Sequence, residues 1–284
     1  MRIGVMLESF RLGLARGLEA AREVGADGVQ IFATGGEVSP SALDRQGRLD
    51  LRHRLDDLGL DLAALCGDFG GHGFTVEGDN PKRIEDSCRI MDLALDLGCR
   101  VVTTHVGVIP SDTAHPRYAV LQRACRALAR YGRQVGGAFA IETGPEPAAV
   151  LRDFLNDVAG PAGLGVNFDP ANLAMVIAED IPEAVAALAP WIVHTHAKDG
   201  LQLRPVDPEQ LYAAFAAGGI EGFHATDYIR ELPLGDGAVP WNQYLAALRS
   251  ADYDGYLTVE REVGDDPRGD IRLAVKFLRN HLGQ

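Results

Sequence analysis

Several things are scarce in this 284-residue chain, and each scarcity excludes something. There are four cysteines, Cys66, Cys88, Cys99 and Cys125, and none stands in CxxC spacing. That argues against a zinc cluster or a disulfide framework and predicts a reducing, cytoplasmic setting. No apolar run reaches the ~18 residues needed to span a bilayer. MRIGVMLESF is too short and too quickly acidic for a secretory signal, so no membrane association is expected. Basic residues are outnumbered, with 27 Lys and Arg against 40 Asp and Glu and a formal net charge of −13. Without a basic run to form a local groove, a nucleic acid would be repelled, and none is expected as partner. No GxGxxG follows the first apolar run, which disfavours a doubly wound dinucleotide-binding sheet. No internal repeat, linker or low-complexity tract breaks the chain, which reads as one domain over 1–284.

What is present is a mix of 46% hydrophobic and 24% charged residues, ample for a globular core. Eight short apolar runs read as strands: 2–7, 28–33, 60–66, 100–106, 138–143, 164–169, 191–197 and 256–262. Segments of helical period lie between several of them. In 80–98, Asn80 and Pro81 read as N-cap and first helical residue, Ile84, Cys88, Met91 and Leu95 as the apolar stripe, and Gly98 as the stop. Near the end, Ile271, Val275, Leu278 and Leu282 repeat the pattern. Strands alternating with helices over this length predict a (β/α)8 TIM barrel, for which ~250 residues is typical. One connection, at about 200–239, is long enough to be a lid, with a helix of its own around 208–217.

In such a barrel the active site lies at the C-terminal ends of the strands. Five successive strands end in ionisable residues: His105 in TTHVG, Glu142 in IETG, Asp169 in NFDPAN, His194, His196 and Lys198 in WIVHTHAKDG, and Glu260 and Glu262 in TVERE. By strand alternation these lie on one face, with largely apolar neighbours on the other. A solvated sheet edge would not confine its charges to one end of each strand. Carboxylates and an imidazole crowded into a barrel mouth repel strongly at low dielectric, so a cation is expected among them. The oxygen-rich set with one nitrogen suits one divalent metal ion: Mn2+, Mg2+ or Co2+, with Zn2+ also compatible.

The motifs IETGPE (141–146), NFDPANL (167–173), HTHAKD (194–199), PLGDGAVPW (233–241) and LTVERE (257–262) together resemble the sugar phosphate isomerase/epimerase family. These are the xylose-isomerase-like barrels that include tagatose epimerases, inosose dehydratases and hydroxypyruvate isomerases, and the resemblance covers essentially the whole chain. It implies that Glu142, Asp169, His196 and Glu260 bind one metal, manganese being favoured. It selects His196 over His194, and leaves His194 to hydrogen-bond inside the barrel. It implies that Glu142 and Glu260 face each other across the substrate and are catalytic. They would move a proton between the carbons of a sugar or small hydroxy-ketone through a cis-enediolate. His105, Glu146, Asn172, Lys198 and Arg261 are the expected substrate contacts. Asn172 stands where some epimerases have a histidine, and Gln202 where some have an arginine, with Arg204 two residues further on, so ketohexose specificity does not carry over. Asp236 is expected to fix the lid turn, while Glu8 and His72 are open between the mouth and solvent.

The alternative is a lyase of the inosose dehydratase type, which shares the proton abstraction. An abasic-site endonuclease would need further histidine ligands and a basic surface, and the single HxH and the −13 charge speak against it. The expected partner is an unphosphorylated small molecule; the resemblance is also compatible with a homo-oligomer.

Overall fold

In the computed structural model, which describes residues 1–158, 160 and 162–284, all eight apolar runs form strands. They are β1 (Arg2–Met6), β2 (Gly28–Phe32), β3 (Asp61–Cys66), β4 (Val101–Thr104), β5 (Ala138–Glu142), β6 (Leu164–Phe168), β7 (Ile192–Ala197) and β10 (Tyr256–Val259). All pair in parallel, and β10 closes the ring by pairing with β1 and β7. Around it lie α1 (Leu14–Glu23), α2 (Arg45–Leu58), α3 (Asn80–Asp96), α4 (Pro116–Val135) and α5 (Ala148–Val158). A one-turn α6 (Pro170–Asn172) then precedes α7 (Ile181–Leu188), α9 (Trp241–Ser250) and α10 (Pro267–Leu282). The result is a (β/α)8 TIM barrel. Among the described residues no helix is long and apolar enough to cross a membrane.

Strand alternation divides the interior into two kinds of packing. Phe139, Ile141, Val166, Phe168, Leu257 and Val259 point outward and are fully buried beneath the helices, where the hydrophobic core sits. Inside the ring the residues are mainly small or polar instead, among them Gly4, Gln30, Thr103, Asn167, His194 and Thr258. Gln30 on β2 bonds His194 across the barrel on β7, a contact possible only through the interior. Two register shifts flank this layer, one between Val29 and Gln30 against β3 and one between Val166 and Asn167 against β7. Such bulges re-aim the side chains next to them, here two polar groups that support the mouth.

The structure adjusts two readings of α3. The helix begins at Asn80 and its cap position is Asp79, because the Asn80 amide donates inward to the Phe74 carbonyl instead of capping. Of the expected stripe only Met91 is fully buried; Ile84, Cys88 and Leu95 flank a face formed by Ser87, Ile90, Met91, Ala94 and Leu97.

The long connection is not a bare loop. β8 (Asp199–Gln202) and β9 (Ile229–Leu232) pair antiparallel, and α8 (Pro208–Ala216) lies between them, close to the helix expected there. α8 packs Leu211 and Ala214 onto a small separate cluster with Val176 and Phe223. The turn after β9 is fixed by Asp199, not by Asp236, which is exposed. Buried Asp199 accepts from the backbone N–H of Gly200, Gly235 and Val239 and from Trp241 Nε1, at 2.8–3.1 Å.

Candidate metal centre and active site

The four residues implied as ligands come from neighbouring strand ends. Glu142 is the last residue of β5, Asp169 follows β6, His196 sits near the end of β7, and Glu260 follows β10. These strands are consecutive around the ring. One ligand atom from each lies within 4.8 Å of all the others. His196 Nδ1 is 3.7 Å from Glu142 Oε2, 3.6 Å from Asp169 Oδ2 and 3.4 Å from Glu260 Oε2. Those separations are too long for good hydrogen bonds. Two ligand atoms each about 2.1–2.2 Å from a shared ion, at roughly 90–120°, are about 3.0–3.8 Å apart. The spacing therefore fits a cation better than direct contact.

The surroundings make the same point. His196 Nδ1 and Asp169 Oδ2 are buried polar atoms with no hydrogen-bond partner, which is costly unless something absent from the protein itself completes them. Every other polar atom of those two side chains is engaged. Asp169 Oδ1 caps α6, accepting from Ala171 and Asn172 N–H at 2.8 and 3.0 Å. Thr143 Oγ1 accepts from Asp169 N–H and donates to its carbonyl, fixing the strand end. His196 Nε2 donates to Gln30 Oε1 at 3.1 Å, which leaves Nδ1 as the free lone pair. The same oxygen accepts from His194 Nε2 at 2.8 Å, while Gln30 Nε2 donates to Thr103 Oγ1. Burial holds His194 well below the usual histidine range, so it stays neutral inside the barrel. For His196, burial opposes charge, but Glu260 and Glu142 outweigh it and push the imidazole well up. Without a metal its proton partly balances the carboxylates, and metal uptake would release it.

Gln30 thus holds His196, the candidate nitrogen ligand, in orientation. Gln30→Met keeps the volume and removes the acceptor. Metal affinity, measured by competition with a fluorescent chelator, is expected to fall about 10–100-fold; an unchanged affinity would show that Gln30 does not orient His196.

The two glutamates differ. Lys198 Nζ lies 2.9 Å from Glu260 Oε2 and also touches Glu262. Burial would raise Glu260, but Lys198 and His196 dominate and hold it well below the ordinary carboxylate range. Glu142 accepts from Asn167 Nδ2 and Asn172 Nδ2, both at 3.0 Å. Burial pushes it up to about 6 against the pull of His105 and His196.

Of the expected substrate contacts, His105, Glu146, Asn172 and Lys198 line one cavity with Glu142, His196 and Glu260. His105 bridges two carboxylates, with Nδ1 3.1 Å from Asp68 Oδ2 and Nε2 3.4 Å from Glu142 Oε1. Arg261 is not brought there. It follows Glu260 and so points out of the ring, where it binds Glu231 at 2.5 Å and Asp270 at 2.9 Å and ties the β8–β9 ribbon to α10. Gln202 and Arg204 also point elsewhere, to the Val176 and Asp227 carbonyls. His72 is on the cavity wall and pairs with Asp79; Glu8 is exposed and accepts from Phe32 N–H. Residues missed in the sequence are Gln30 and Asn167, which bond the candidate ligands, Asp68, which holds His105, and Tyr212 on α8. Gly144 lets that tyrosine approach, since a Cβ there would lie 2.1 Å from the Tyr212 hydroxyl.

Glu146 is buried, accepts from Ile109 N–H at 3.3 Å, and is pushed up to about 8 mainly by that burial. Its ordinary value is 4.5. Between these values the folded chain keeps a proton that the unfolded chain has lost, so stability falls as pH rises, by up to about 1.4 kcal/mol per pH unit. Glu146→Gln should remove that slope. Urea titrations at pH 5 to 8 are expected to show the variant gaining on the wild type as pH rises; parallel curves would contradict the assignment.

A closed parallel barrel with three carboxylates and an imidazole gathered at its C-terminal mouth defines a TIM barrel with a candidate metal centre. The chain belongs to the xylose isomerase-like TIM barrel family, whose model matches residues 18–281. A xylose isomerase domain protein from Planctomyces limnophilus is 27% identical, with a TM-score of 0.79 over 99% of this chain and 96% of that one. The probable 3-DHS dehydratase AsbF from Bacillus anthracis shares the fold at 21% identity, with a TM-score of 0.76 over 99% of each chain. A D-psicose 3-epimerase does so at 18% identity, with a TM-score of 0.74 over 100% of each. No curated protein matches the chain significantly.

Proposed function

We propose that the chain is a divalent-metal-dependent isomerase or epimerase of a sugar or small hydroxy-ketone. The observation that carries this reading is the pair of unpartnered ligand atoms, His196 Nδ1 and Asp169 Oδ2, aimed at the point where Glu142 and Glu260 also converge. A divalent ion held there would polarise a carbonyl and an adjacent hydroxyl and offset the negative charge that develops on them. The chain's own residues do the proton work. Glu260, kept ionised by Lys198, is suited to take the carbon-bound proton. Glu142, raised towards neutrality, is suited to hold and return one. Environments that push two carboxylates apart in this way mark an acid and a base. Asn172 and Asn167 hold Glu142 in place, and His105 contacts its outer oxygen.

A second reading, dehydration, draws on Glu146. Its carboxyl stays protonated on the cavity wall and could donate to a departing β-hydroxyl. A screen of ketoses, inososes and hydroxypyruvate in deuterated water with manganese separates the two. Deuterium incorporation without loss of water supports isomerisation or epimerisation; a dehydrated product supports the lyase; no exchange with any of them would refute both.

A further inference from the structure

The cavity holds more than the metal set needs. Its volume is about 510 Å3, of which a three-carbon hydroxy-ketone fills only a fraction. Away from the metal set the walls carry apolar surface beside charged groups. Phe32, at the end of β2, and Phe215, on α8, both line the cavity and remain 38% and 53% exposed. The helix period explains the second wall: Leu211 and Ala214 bury into the lid's own cluster, while Glu209, Tyr212, Ala213 and Ala216 turn a stripe towards the cavity. Tyr212 and Phe215 rings meet edge-on at 6.0 Å.

The charge on the walls is one-sided. Asp68, Glu142, Glu209, Glu260 and Glu262 all line the cavity, beside a Glu146 that burial keeps protonated. Among the described residues its only Lys and Arg are Lys198 and Arg117, and both are already paired, Lys198 with Glu260 and Glu262 and Arg117 with Glu209. A phosphate or carboxylate on the substrate would find no uncommitted cation side chain here.

We infer that the site takes an uncharged α-hydroxy ketone whose far end carries an apolar ring or chain, seated against Phe32 and Phe215. This rests on the isomerase or epimerase reading only for the hydroxy-ketone end; the extension is argued from the cavity walls. Covering exposed aromatic surface with an apolar group is favourable in proportion to area, and a phenyl extension should tighten binding about tenfold.

The test uses three probes that share the hydroxy-ketone end: hydroxyacetone, 1-hydroxy-4-phenylbutan-2-one and dihydroxyacetone phosphate. Each is titrated calorimetrically into the full chain with manganese, and proton exchange is followed in parallel. The phenyl probe is expected to bind about tenfold more tightly than hydroxyacetone, and the phosphate no better than hydroxyacetone. Phe215→Ala and Phe32→Ala should each cut the phenyl-to-methyl ratio at least threefold. Equal binding of phenyl and methyl probes, or preference for the phosphate, overturns the inference while leaving the proton chemistry standing. Tight phenyl binding without exchange upholds the inference and counts against the proposed reaction; no binding by any probe overturns both.

Discussion

Glu142→Gln and Glu260→Gln are each expected to reduce exchange of the substrate's carbon-bound proton by at least about 10²–10⁴-fold, the usual contribution of a positioned acid or base. An amide keeps the shape of the carboxylate but can neither take nor hold the proton. The fold should survive both changes. In Glu142→Gln the new amide meets Asn167, whose own Oδ1 lacks a partner and can accept after the Asn167 amide rotates. In Glu260→Gln, Lys198 keeps Glu262. Because each change also removes a ligand charge, exchange must be read at saturating metal, with metal content measured on the same samples. If both variants exchanged at the wild-type rate with circular dichroism unchanged, the two-glutamate chemistry would be wrong.

Asp169→Asn should separate metal binding from folding. The Asp169 side chain does two jobs with two oxygens: Oδ1 caps α6 and Oδ2 faces the ligand cluster. Asparagine caps helices about as well as aspartate, so its oxygen can keep the first job. Its NH2 then replaces the carboxylate oxygen next to His196 Nδ1 and cannot bind a cation. Stability without metal is expected to change by less than about 1 kcal/mol, while metal affinity falls more than about 100-fold, beyond the loss typical of supporting residues. Retained affinity would show that Asp169 is a structural cap alone.

The eight strands were legible because a barrel strand is covered on its outer face and reads as a short apolar run bounded by turn residues. The ligand candidates were legible because a charged residue at the end of such a run has few explanations other than a mouth. Contacts between distant segments were not. Gln30 stands amid an apolar run, GVQIF, and its burial could have marked it, but nothing local shows that it reaches β7. Asp68 meets His105 because β3 and β4 pair with Cys66 against Thr103, a register that the sequence does not print. Asp199 looked like the tail of HTHAKD, yet three of its four donors, on Gly235, Val239 and Trp241, lie more than thirty residues on. Arg261 was misplaced for a different reason. Its neighbour Glu260 points inward, so alternation alone sends Arg261 outward to Glu231 and Asp270.

Crystals soaked in manganese and measured at an anomalous wavelength test the central claim most directly. One strong peak is expected between Glu142, Asp169, His196 and Glu260, with His196 coordinating through Nδ1 and its Nε2 still on Gln30. A peak elsewhere in the cavity, or these four side chains turned away from any common point, would contradict it.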